Sequence, residues 1–381
     1  MNIIGIIAEY NPLHLGHIYQ LKKAKELYPD SLIILITNSY FTQRGDVAIL
    51  DKWNKTKLSL ENNIDLVIEL PFPYATQSAD IFAEGALKIL NYLKIDILIF
   101  GSESNNIEKI IQIANTQLNN KKYDILVKKH LTTGTNYPTA LNKALIELTG
   151  TNIKEPNDLL ALSYIKEIIK NNYAITPISI KRIGSYHAKK TKSSIANASL
   201  IRKKYIKNEK ISKYIPKNEE KYLTKDLSLN SYFTYLKYKI IETPDLSIYQ
   251  TVDEGIENRI KKEISESNNW EELVLNIKTK RYTYNKINRM LIHILTAFTK
   301  EEAKSIEIDY IKVLGFNEKG QKYLKNIKKE VNIPIITNDK NIYSTLLNIE
   351  KRVASIYQLP IHKNNINENK PIMIKTNEID N

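Results

Sequence analysis

The chain has 381 residues, 42% of them hydrophobic, and a formal net charge of +14; apart from that charge, the composition is ordinary for a globular protein. No window approaches the ~18 uninterrupted apolar residues that a membrane span needs. Cysteine is absent, which excludes disulfides and thiolate metal sites. The opening MNIIGIIAEYNP lacks the pattern of a secretory signal and is interpreted as a first strand. We therefore expect a cytoplasmic protein that does not bind a membrane.

Two kinds of sequence pattern alternate through the first hundred residues. Short β-branched apolar runs end in polar residues, glycine or proline: IIGIIAEY, DSLIILITN, NIDLVIELP and KIDILIFG. Between them lie segments with apolar residues at helical spacing: GHIYQLKKAKELY, VAILDKWNKTKLSLENN and ADIFAEGALKILNYL. Strands that alternate with helices predict an α/β fold with a doubly wound, mostly parallel sheet.

The rest of the chain is mainly helical in pattern. Helical spacing dominates from about 105 to 175, ITPISIKRIG then indicates another strand of the sheet, and helices dominate again from about 198. Near the end, PIMIK is compatible with one more strand. We expect two domains: an α/β domain over 1–205 with a helical insertion at about 105–175, and a mainly helical domain over 206–381.

Positive charge is concentrated rather than spread evenly. Residues 1–100 contain 9 Lys and Arg against 11 Asp and Glu, whereas Lys181–Lys210 contains ten basic residues and one acidic residue, Glu209. A concentrated basic stretch is typical of surfaces that bind polyanions, because contacts to phosphates release condensed counterions. An AT-rich genome, which favours lysine everywhere, explains the total charge better than it explains this clustering.

The segment NPLHLGHIYQ lies just after the first predicted strand. In a doubly wound sheet, ligands bind beyond the carboxyl ends of the strands, and the free N–H groups at a following helix N-terminus suit phosphate. Gly16 permits close approach of a ligand, and Asn11 and Pro12 are expected to rigidify and cap the turn. His14 and His17 share one helical face, from which they can donate to phosphate oxygens in a transition state.

Two other interpretations of the histidine pair stay open at this point. A metal site needs a third ligand, and no nearby H-x-x-H partner is present, so we predict no metal site here. The histidines could also serve only as caps of the helix.

NPLHLGH resembles the HxGH signature of the nucleotidyltransferase superfamily, which includes adenylyltransferases and class I aminoacyl-tRNA synthetases. Further segments resemble, in order, the bacterial tRNA(Met) cytidine acetate ligase family over nearly the whole chain: 38–55, 68–90, 99–104, 155–166, 178–187 and 279–295. The resemblance implies a Rossmann-like nucleotidyltransferase domain. It also implies that ATP activates acetate as acetyl-adenylate, and that the acetyl group is transferred to N4 of the wobble cytidine of elongator tRNA(Met).

The resemblance also assigns roles to individual residues. It implies that His14 and His17 are catalytic and contact the triphosphate. It further implies that ATP is bound by Ile7, Ala8, Glu9, Tyr10, Asn11, Pro12, Leu13, His14, Leu15, Gly16, His17, Ile18, Tyr19, Gln20, Gly101, Asn157, Arg182 and Ile183. Asn157 also stands where a helix N-cap would stand. Ser199 and Arg202 fall where adenylyltransferases carry a serine-rich loop and a basic residue, and are candidate phosphate contacts; no KMSKS loop is found.

Basic residues near these positions are candidates for tRNA binding. Arg44 follows the second strand and is assigned to tRNA or substrate. The other candidates are Lys189, Lys190, Lys192, Lys203 and Lys204 in one group, and Lys280, Arg281, Lys286 and Arg289 in a second group interleaved with Tyr282 and Tyr284. An ordinary solvated helix face is the alternative for the second group.

The expected partners are ATP, with Mg²⁺ accompanying the triphosphate, acetate and tRNA; we expect no obligate protein partner. Two other functions remain open from the sequence. The first is a small-molecule adenylyltransferase, for which the basic helical second half would be surplus. The second is a non-catalytic tRNA-binding protein with a vestigial nucleotide site, although His14, Gly16 and His17 are intact.

Overall fold

The computed structural model describes residues 1–183, 195–217, 219–224, 227–361 and 370–375. In this part of the chain an eight-stranded sheet forms the centre of the molecule. Its strands, β1 to β8 in chain order, are Ile3–Ile7, Leu32–Asn38, Leu66–Leu70, Ile97–Ser102, Thr176–Lys181, Ile311–Asn317, Ile335–Ile336 and Ile372–Ile374.

The described helices, α1 to α16 in chain order, flank the sheet and form the C-terminal region. Their bounds are Leu15–Leu27, Lys52–Glu61, Phe72–Ala75, Ala79–Tyr92, Ile107–Asn119, Lys121–Thr132, Tyr137–Thr149, Pro156–Lys170, Ala198–Ile206, Phe233–Glu242, Ile256–Glu266, Trp270–Ile277, Tyr284–Leu295, Lys300–Ser305, Glu318–Ile327 and Thr345–Gln358. Short 3-10 helices span Glu220–Tyr222, Leu229–Tyr232 and Leu246–Ile248.

The strand order is β5-β4-β1-β2-β3-β6-β7, and β8 pairs with β6. Strands β1 to β5 are parallel to one another, so their carboxyl ends meet at one edge, where β1 and β4 run side by side at the centre. This arrangement confirms the predicted doubly wound α/β fold. It places the segment after β1 between the loops that follow β2 and β4, the position at which such folds bind ligands.

Both faces of the sheet are covered, which explains the uninterrupted apolar runs. Alternate residues of β2 point to opposite cores: Ile34 joins the core shared with α4, α5 and α8, and Leu35 joins the core shared with α1, α2 and α9. A third core is built by helices α10 to α13 and α16, and it also contains Phe41 from the loop after β2 and Phe72 from α3. The C-terminal helices are thus packed onto the edge of the sheet that carries the site.

Strand β6 was not predicted from the sequence. It pairs antiparallel with β3, with Val67 opposite Gly315, and parallel with β8. Gly315 is required there, because a Cβ would lie 2.6 Å from Thr56 Cγ2 and 2.8 Å from the carbonyl oxygen of Ile372. The expected strand within PIMIK is confirmed as β8. Apart from β6, β7 and β8, the regular structure described after residue 205 is helical, as predicted.

The division of the chain at residue 205 stays a prediction. Strands β6, β7 and β8 come from the C-terminal side of that boundary and complete the sheet that the N-terminal residues begin. Among the described residues, no helix combines the length and the apolar character needed to cross a membrane.

Candidate functional site

Helix α1 begins directly after β1, and the histidine pair forms its first turn. His14 is the N-cap, and its Nδ1 accepts a hydrogen bond from the Gly16 N–H at 3.1 Å. The His14 N–H in turn donates to Nδ1 of His17 at 3.2 Å. The two rings stack with centroids 3.7 Å apart. The sequence therefore builds a reciprocal capping box from two histidines.

The capping role expected for Asn11 is wrong. Its Nδ2 donates to the carbonyl of Val47 and its Oδ1 accepts from the N–H of Ile49, both at 3.0 Å. Asn11 is buried and fastens the loop after β1 to the loop after β2. These long-range bonds form because β1 and β2 are parallel neighbours, so that the loops after them meet at the same edge of the sheet.

The hydrogen bonds assign the tautomer of both rings. Because each Nδ1 accepts from a backbone N–H, each neutral ring carries its proton on Nε2. Burial lowers the pKa of His14 to about 3, assisted by the charge of Arg182, and burial also lowers the pKa of His17 well below its usual value. Both histidines line a cleft. The capping interpretation and the functional interpretation are therefore compatible, because Nδ1 caps the helix while Nε2–H can donate to a ligand.

This cleft crosses the carboxyl edge of the sheet from β5 to β2. Its empty volume, counted together with the open mouth, is about 1150 Å³. An adjoining pocket opens between α1 and β5, and we call it the β5 pocket. It is lined by Gly16, Tyr19, Gln20, Gly101, Ile180, Lys181, Arg182, Ile183, Ile195, Ala196, Asn197 and Leu200, and it shares His14 with the cleft.

Gly101 and Arg182 lie side by side at the ends of β4 and β5, as predicted. A Cβ on residue 101 would stand 3.1 Å from Cγ of Arg182 and would narrow the passage between the two pockets. Arg182 is half-buried, and its Nε lies 3.8 Å from Glu103 Oε1 without a hydrogen bond to the described residues. Its guanidinium is therefore available to an anion in either pocket.

The loop after β4 is fixed to the first turn of α8. Asp158 Oδ1 accepts from Ser102 Oγ at 2.5 Å and from the Glu103 N–H at 3.0 Å, and its Oδ2 accepts from the Ser104 N–H at 3.1 Å. In return, Glu103 accepts from the backbone N–H groups of Asn157 and Asp158, both at 3.1 Å. Glu103 therefore satisfies N–H groups of the first turn of α8 that would otherwise lack partners, and Asp158 satisfies those of the loop.

Asn157 is not the N-cap that its position in the sequence indicated. The cap position is Glu155, and Asn157 lies in the first turn of α8 with its Nδ2 donating to Glu103. Asn157 lines the cleft, so its carbonyl oxygen is the group that it can offer to a ligand.

Ser199 and Arg202 approach the cleft from α9, whose first residues line it. Arg202 bridges two loops, because it donates to the carbonyl of Asn11 at 2.7 Å and to Asp46 Oδ2 at 2.6 Å. The N-cap of α9 is Asn197, which accepts from the Leu200 N–H. The N-terminus of this helix thus adds a second set of backbone dipoles to the cleft.

The loop after β2 forms the opposite end of the cleft, with Thr42, Gln43, Arg44 and Asp46 among the lining residues. The Gln43 N–H donates to Glu9 Oε1 at 2.7 Å, and the carbonyl of Gln43 accepts from Arg289 Nη1 at 3.1 Å. Arg44 is half-buried.

The apolar lining residues Phe82, Phe100, Leu160 and Tyr164 were not predicted. No local pattern marks them, because they come from three separate elements that meet only in the fold.

The structure describes only part of the first group of predicted tRNA-binding lysines. Lys189, Lys190 and Lys192 lie outside the described residues. Lys203 is exposed on α9, whereas Lys204 forms an ion pair with Glu209.

In the second group, Lys280 and Arg281 are exposed and Lys286 is half-buried. Two of its members differ from expectation. Tyr282 is 4% exposed and donates to the Asp253 carbonyl at 2.9 Å, so it cannot stack on a base. Arg289 holds the loop after β2, and burial lowers its pKa to about 10, so it does not belong to the exposed group. Tyr284 is 52% exposed and remains available.

The family comparisons agree with this geometry. The HIGH Nucleotidyl Transferase family model matches residues 1–371. A protein of a Geobacillus species described as tRNA(Met) cytidine acetate ligase is 38% identical over 377 residues, which cover 94% of each chain. The proteins of the same description from Bacillus subtilis and Clostridium novyi are 34% and 40% identical, over 95% and 88% of this chain and 93% and 89% of their own.

Solved structures extend the comparison to the whole fold. The crystal structure of Thermotoga maritima TmcAL in its apo form I superposes with a TM-score of 0.91 at 25% identity, covering 99% of this chain and all of that one. The same protein bound with alpha-thio ATP gives a TM-score of 0.89 at 26% identity, with 99% and 100% coverage. From its sequence, its fold and the histidine turn at the sheet edge, this chain belongs to the tRNA(Met) cytidine acetate ligase family of HIGH nucleotidyl transferases.

Proposed function

We propose that this protein is an ATP-dependent ligase that activates acetate as acetyl-adenylate and transfers the acetyl group to N4 of the wobble cytidine of elongator tRNA(Met). The stacked histidine pair carries the proposal, because it presents two Nε2–H donors at a helix N-terminus inside a cleft at the carboxyl edge of the sheet. The relatives described as tRNA(Met) cytidine acetate ligase support the substrates. The related structure with alpha-thio ATP supports the nucleotide.

In the first step, an oxygen of acetate attacks the α-phosphorus of ATP. A bond forms between that oxygen and phosphorus, and the bond to the β-phosphate bridging oxygen breaks, so that pyrophosphate leaves with the electron pair. His14 and His17 donate from Nε2 to the non-bridging α-oxygens, where negative charge increases in the transition state. Arg182, Ser199 and Arg202 bind the other phosphates. The β5 pocket receives the adenosine, with Gly101 and Ile183 against it.

In the second step, N4 of cytidine attacks the carbonyl carbon of acetyl-adenylate. The new C–N bond replaces the acyl–oxygen bond, AMP leaves, and N4 loses one proton. The amine is a poor nucleophile because its lone pair is delocalised into the ring, and the phosphate ester compensates as a good leaving group. The protein contributes mainly orientation of the two reactants and stabilisation of charge.

We propose that tRNA is held by exposed basic residues at the rim of the site. Lys203 lies on α9, whose first turn lines the cleft, so its phosphate contact would place the anticodon near the histidines. Lys280, Arg281, Lys286 and Tyr284 form the second candidate contact. We place the reaction in the cytoplasm, where tRNA and ATP are available together.

Mg²⁺ is proposed to enter with the triphosphate. Among the described residues, the two carboxylates that line the cleft are Glu9 and Asp46, and both already accept hydrogen bonds, from Gln43 and Arg202. The residues present therefore fit a cation that is held by phosphate oxygens more than by the protein. The ion would neutralise charge on the departing pyrophosphate.

The test is incubation of the protein with ATP, labelled acetate and tRNA(Met), followed by mass spectrometry of the wobble nucleoside. The expected product is N4-acetylcytidine that carries the label, with one AMP and one pyrophosphate formed per acetyl group. AMP formation that depends on neither acetate nor tRNA would overturn the proposal and favour a small-molecule adenylyltransferase. Binding of tRNA without any ATP turnover would favour the non-catalytic alternative.

A further inference from the structure

The carboxylate of Glu103, in the loop after β4, joins two residues that line the cleft. Its Oε2 accepts hydrogen bonds from the backbone N–H groups of Asn157 and Asp158, both at 3.1 Å. Its Oε1 accepts from Nδ2 of Asn157 and lies 3.8 Å from Nε of Arg182. Asn157 and Arg182 line the cleft, whereas Glu103 is not among the described residues that line it. One carboxylate therefore contacts a side chain of α8 and the side chain that follows β5.

The backbone of Glu103 is held from two sides. Its N–H donates to Asp158 Oδ1 at 3.0 Å, and its carbonyl oxygen accepts from Nζ of Lys181 on β5. Asp158 also accepts from the N–H of Ser104 at 3.1 Å, so the next residue of the loop is held as well. The side chain of Glu103 is 13% exposed. The carboxylate therefore has little freedom to move away from α8 and β5.

The carboxylate determines which atom of the Asn157 amide faces a ligand. A carboxylate offers acceptors only, so the amide must direct its NH2 group toward Glu103. The amide oxygen, Oδ1, makes no hydrogen bond to the part of the chain that the structure describes. Without the carboxylate, a half-turn of the amide would exchange its two ends, which have nearly the same shape. Glu103 therefore makes Asn157 an acceptor in the cleft.

We propose that Glu103 is a positioning residue for the nucleotide. It orients Asn157 so that Oδ1 accepts from a hydrogen-bond donor of the nucleoside, and it holds the guanidinium of Arg182 where the cleft and the β5 pocket meet. The nucleoside is favoured over a phosphate, because two N–H groups that the N-terminus of α8 would offer to a phosphate are already bound to Glu103. The inference rests on the proposed function, and it adds the group that sets the polarity of the nucleotide contact.

The alternative is that Glu103 only caps α8, and Glu103→Gln separates the two roles. The substitution keeps one carbonyl oxygen for the two backbone N–H groups of the helix. Its new NH2 group faces Asn157, whose amide must turn over to offer an acceptor, so that Nδ2 then faces the cleft. Glu155→Gln is the matched control, because Glu155 is exposed at the N-cap of the same helix and its side chain makes no capping hydrogen bond.

The first measurement is acetate-dependent exchange of pyrophosphate into ATP, without tRNA. We expect Glu103→Gln to raise the KM for ATP about tenfold, the equivalent of one hydrogen bond, and to change kcat less than about threefold because the histidines are untouched. Glu155→Gln should stay within about twofold of the unmodified protein in both quantities. The dissociation constant of ATP, measured by isothermal titration calorimetry, should change as the KM does and does not depend on turnover. Circular dichroism verifies that each variant is folded.

The double variant Glu103→Gln/Asn157→Asp exchanges the amide and the carboxylate. The new amide donates to the new carboxylate, whose second oxygen again presents an acceptor to the cleft, and the net charge is unchanged. We expect the KM for ATP to return to within about threefold of the unmodified value. Asn157→Asp alone places two carboxylates in contact and should raise the KM at least as much as Glu103→Gln does. A capping role alone predicts no rescue, because the double variant removes more native contacts than either single variant.

Three nucleotide analogues identify the donor from which Asn157 accepts. 2′-Deoxy-ATP and 3′-deoxy-ATP each lack one ribose hydroxyl, and ITP lacks the exocyclic amine. The analogue without the donor should bind to the unmodified protein about tenfold more weakly than ATP, and Glu103→Gln should weaken the binding of that analogue less than about twofold. If all three analogues bind as ATP does, Asn157 accepts from none of these donors and the proposal is overturned.

The outcomes separate the two proposals. If acetate causes no pyrophosphate exchange in the unmodified protein, the proposed function fails, and the dissociation constants of ATP still decide the role of Glu103. If the unmodified protein responds to acetate but folded Glu103→Gln keeps a normal KM for ATP, the positioning role alone is refuted. It is equally refuted if the double variant binds ATP no better than the single variants do.

Discussion

The imidazole rings of His14 and His17 stack with centroids 3.7 Å apart and planes 17° from parallel. Each ring uses Nδ1 to accept a backbone N–H of the same helical turn, from Gly16 and from His14 respectively. The pair therefore combines two functions that are usually assigned to different residues: it caps α1 and it presents two neutral Nε2–H donors to the cleft.

The substitution His14→Asn separates these two functions. Asparagine is a good N-cap, so the side-chain oxygen can keep the bond to the Gly16 N–H and stability should change by less than about 1 kcal/mol. The Nε2 donor is lost, and we expect kcat for pyrophosphate exchange to fall by about 10²–10³-fold. Affinity for tRNA should be unchanged. His130→Asn, on α6 where His130 pairs with Glu147, is the control; a His14→Asn variant within tenfold of normal activity would contradict the assigned donor role.

Asp158→Ala tests the support of the loop after β4. The variant leaves the N–H groups of Glu103 and Ser104 and the Ser102 hydroxyl without their acceptor. A buried polar group that loses its partner costs about 1–3 kcal/mol, so we expect a loss of this size in the free energy of unfolding, measured with urea. The KM for ATP should rise because Gly101 is no longer held in place. Asp158→Asn, which keeps one acceptor oxygen, should show a smaller change in both quantities.

Lys203→Met tests the proposed tRNA contact beside the cleft. Removal of one phosphate contact should weaken tRNA binding and lower the slope of log K against log salt by about 1. Lys204→Met should have the smaller effect, because Lys204 is already paired with Glu209. Filter binding at several salt concentrations measures both quantities. An unchanged slope for Lys203→Met would exclude a phosphate contact for this residue.

Glu350→Gln tests a buried carboxyl that joins α16 to the sheet. Glu350 accepts from Ser39 Oγ at 3.2 Å and from the Phe72 N–H, and burial raises its pKa to about 8, with the charge of Glu69 adding to the effect. Since the folded state holds a proton that the unfolded state releases above its pKa of about 4.5, this group stabilises the fold fully at low pH and less as the pH rises through 8.

The neutral amide in Glu350→Gln does not titrate. We therefore expect the variant to gain stability relative to the unmodified protein as the pH rises from about 4.5 to about 8, in urea unfolding measured at each pH. Exposed Glu301→Gln on α14 is the control and should show no such trend. A difference between variant and unmodified protein that is independent of pH would show that Glu350 is ionised throughout.

Local patterns in the sequence were sufficient for the parallel half of the fold and for the histidine turn. Strands β1 to β4 are mainly apolar runs, as expected for strands covered on both faces. The segment NPLHLGH stands between a strand and a helix, which in a doubly wound sheet places it at the carboxyl edge. The positions of Gly101 and Arg182 at the same edge follow from the rule that ligands bind beyond the carboxyl ends of parallel strands.

Only the tertiary structure decided which side chains are free to act. Asn11, Tyr282 and Arg289 look like cap, base-stacking or phosphate-binding residues in the sequence, yet each is engaged by a partner at least 29 residues away along the chain. The tertiary structure alone also shows the antiparallel pairing of β6 with β3. It likewise shows the apolar residues that line the cleft, Phe82, Phe100, Leu160 and Tyr164. Periodicity and residue type report on neighbours within a few residues, whereas burial and hydrogen-bond partners depend on contacts that exist only after the chain has folded.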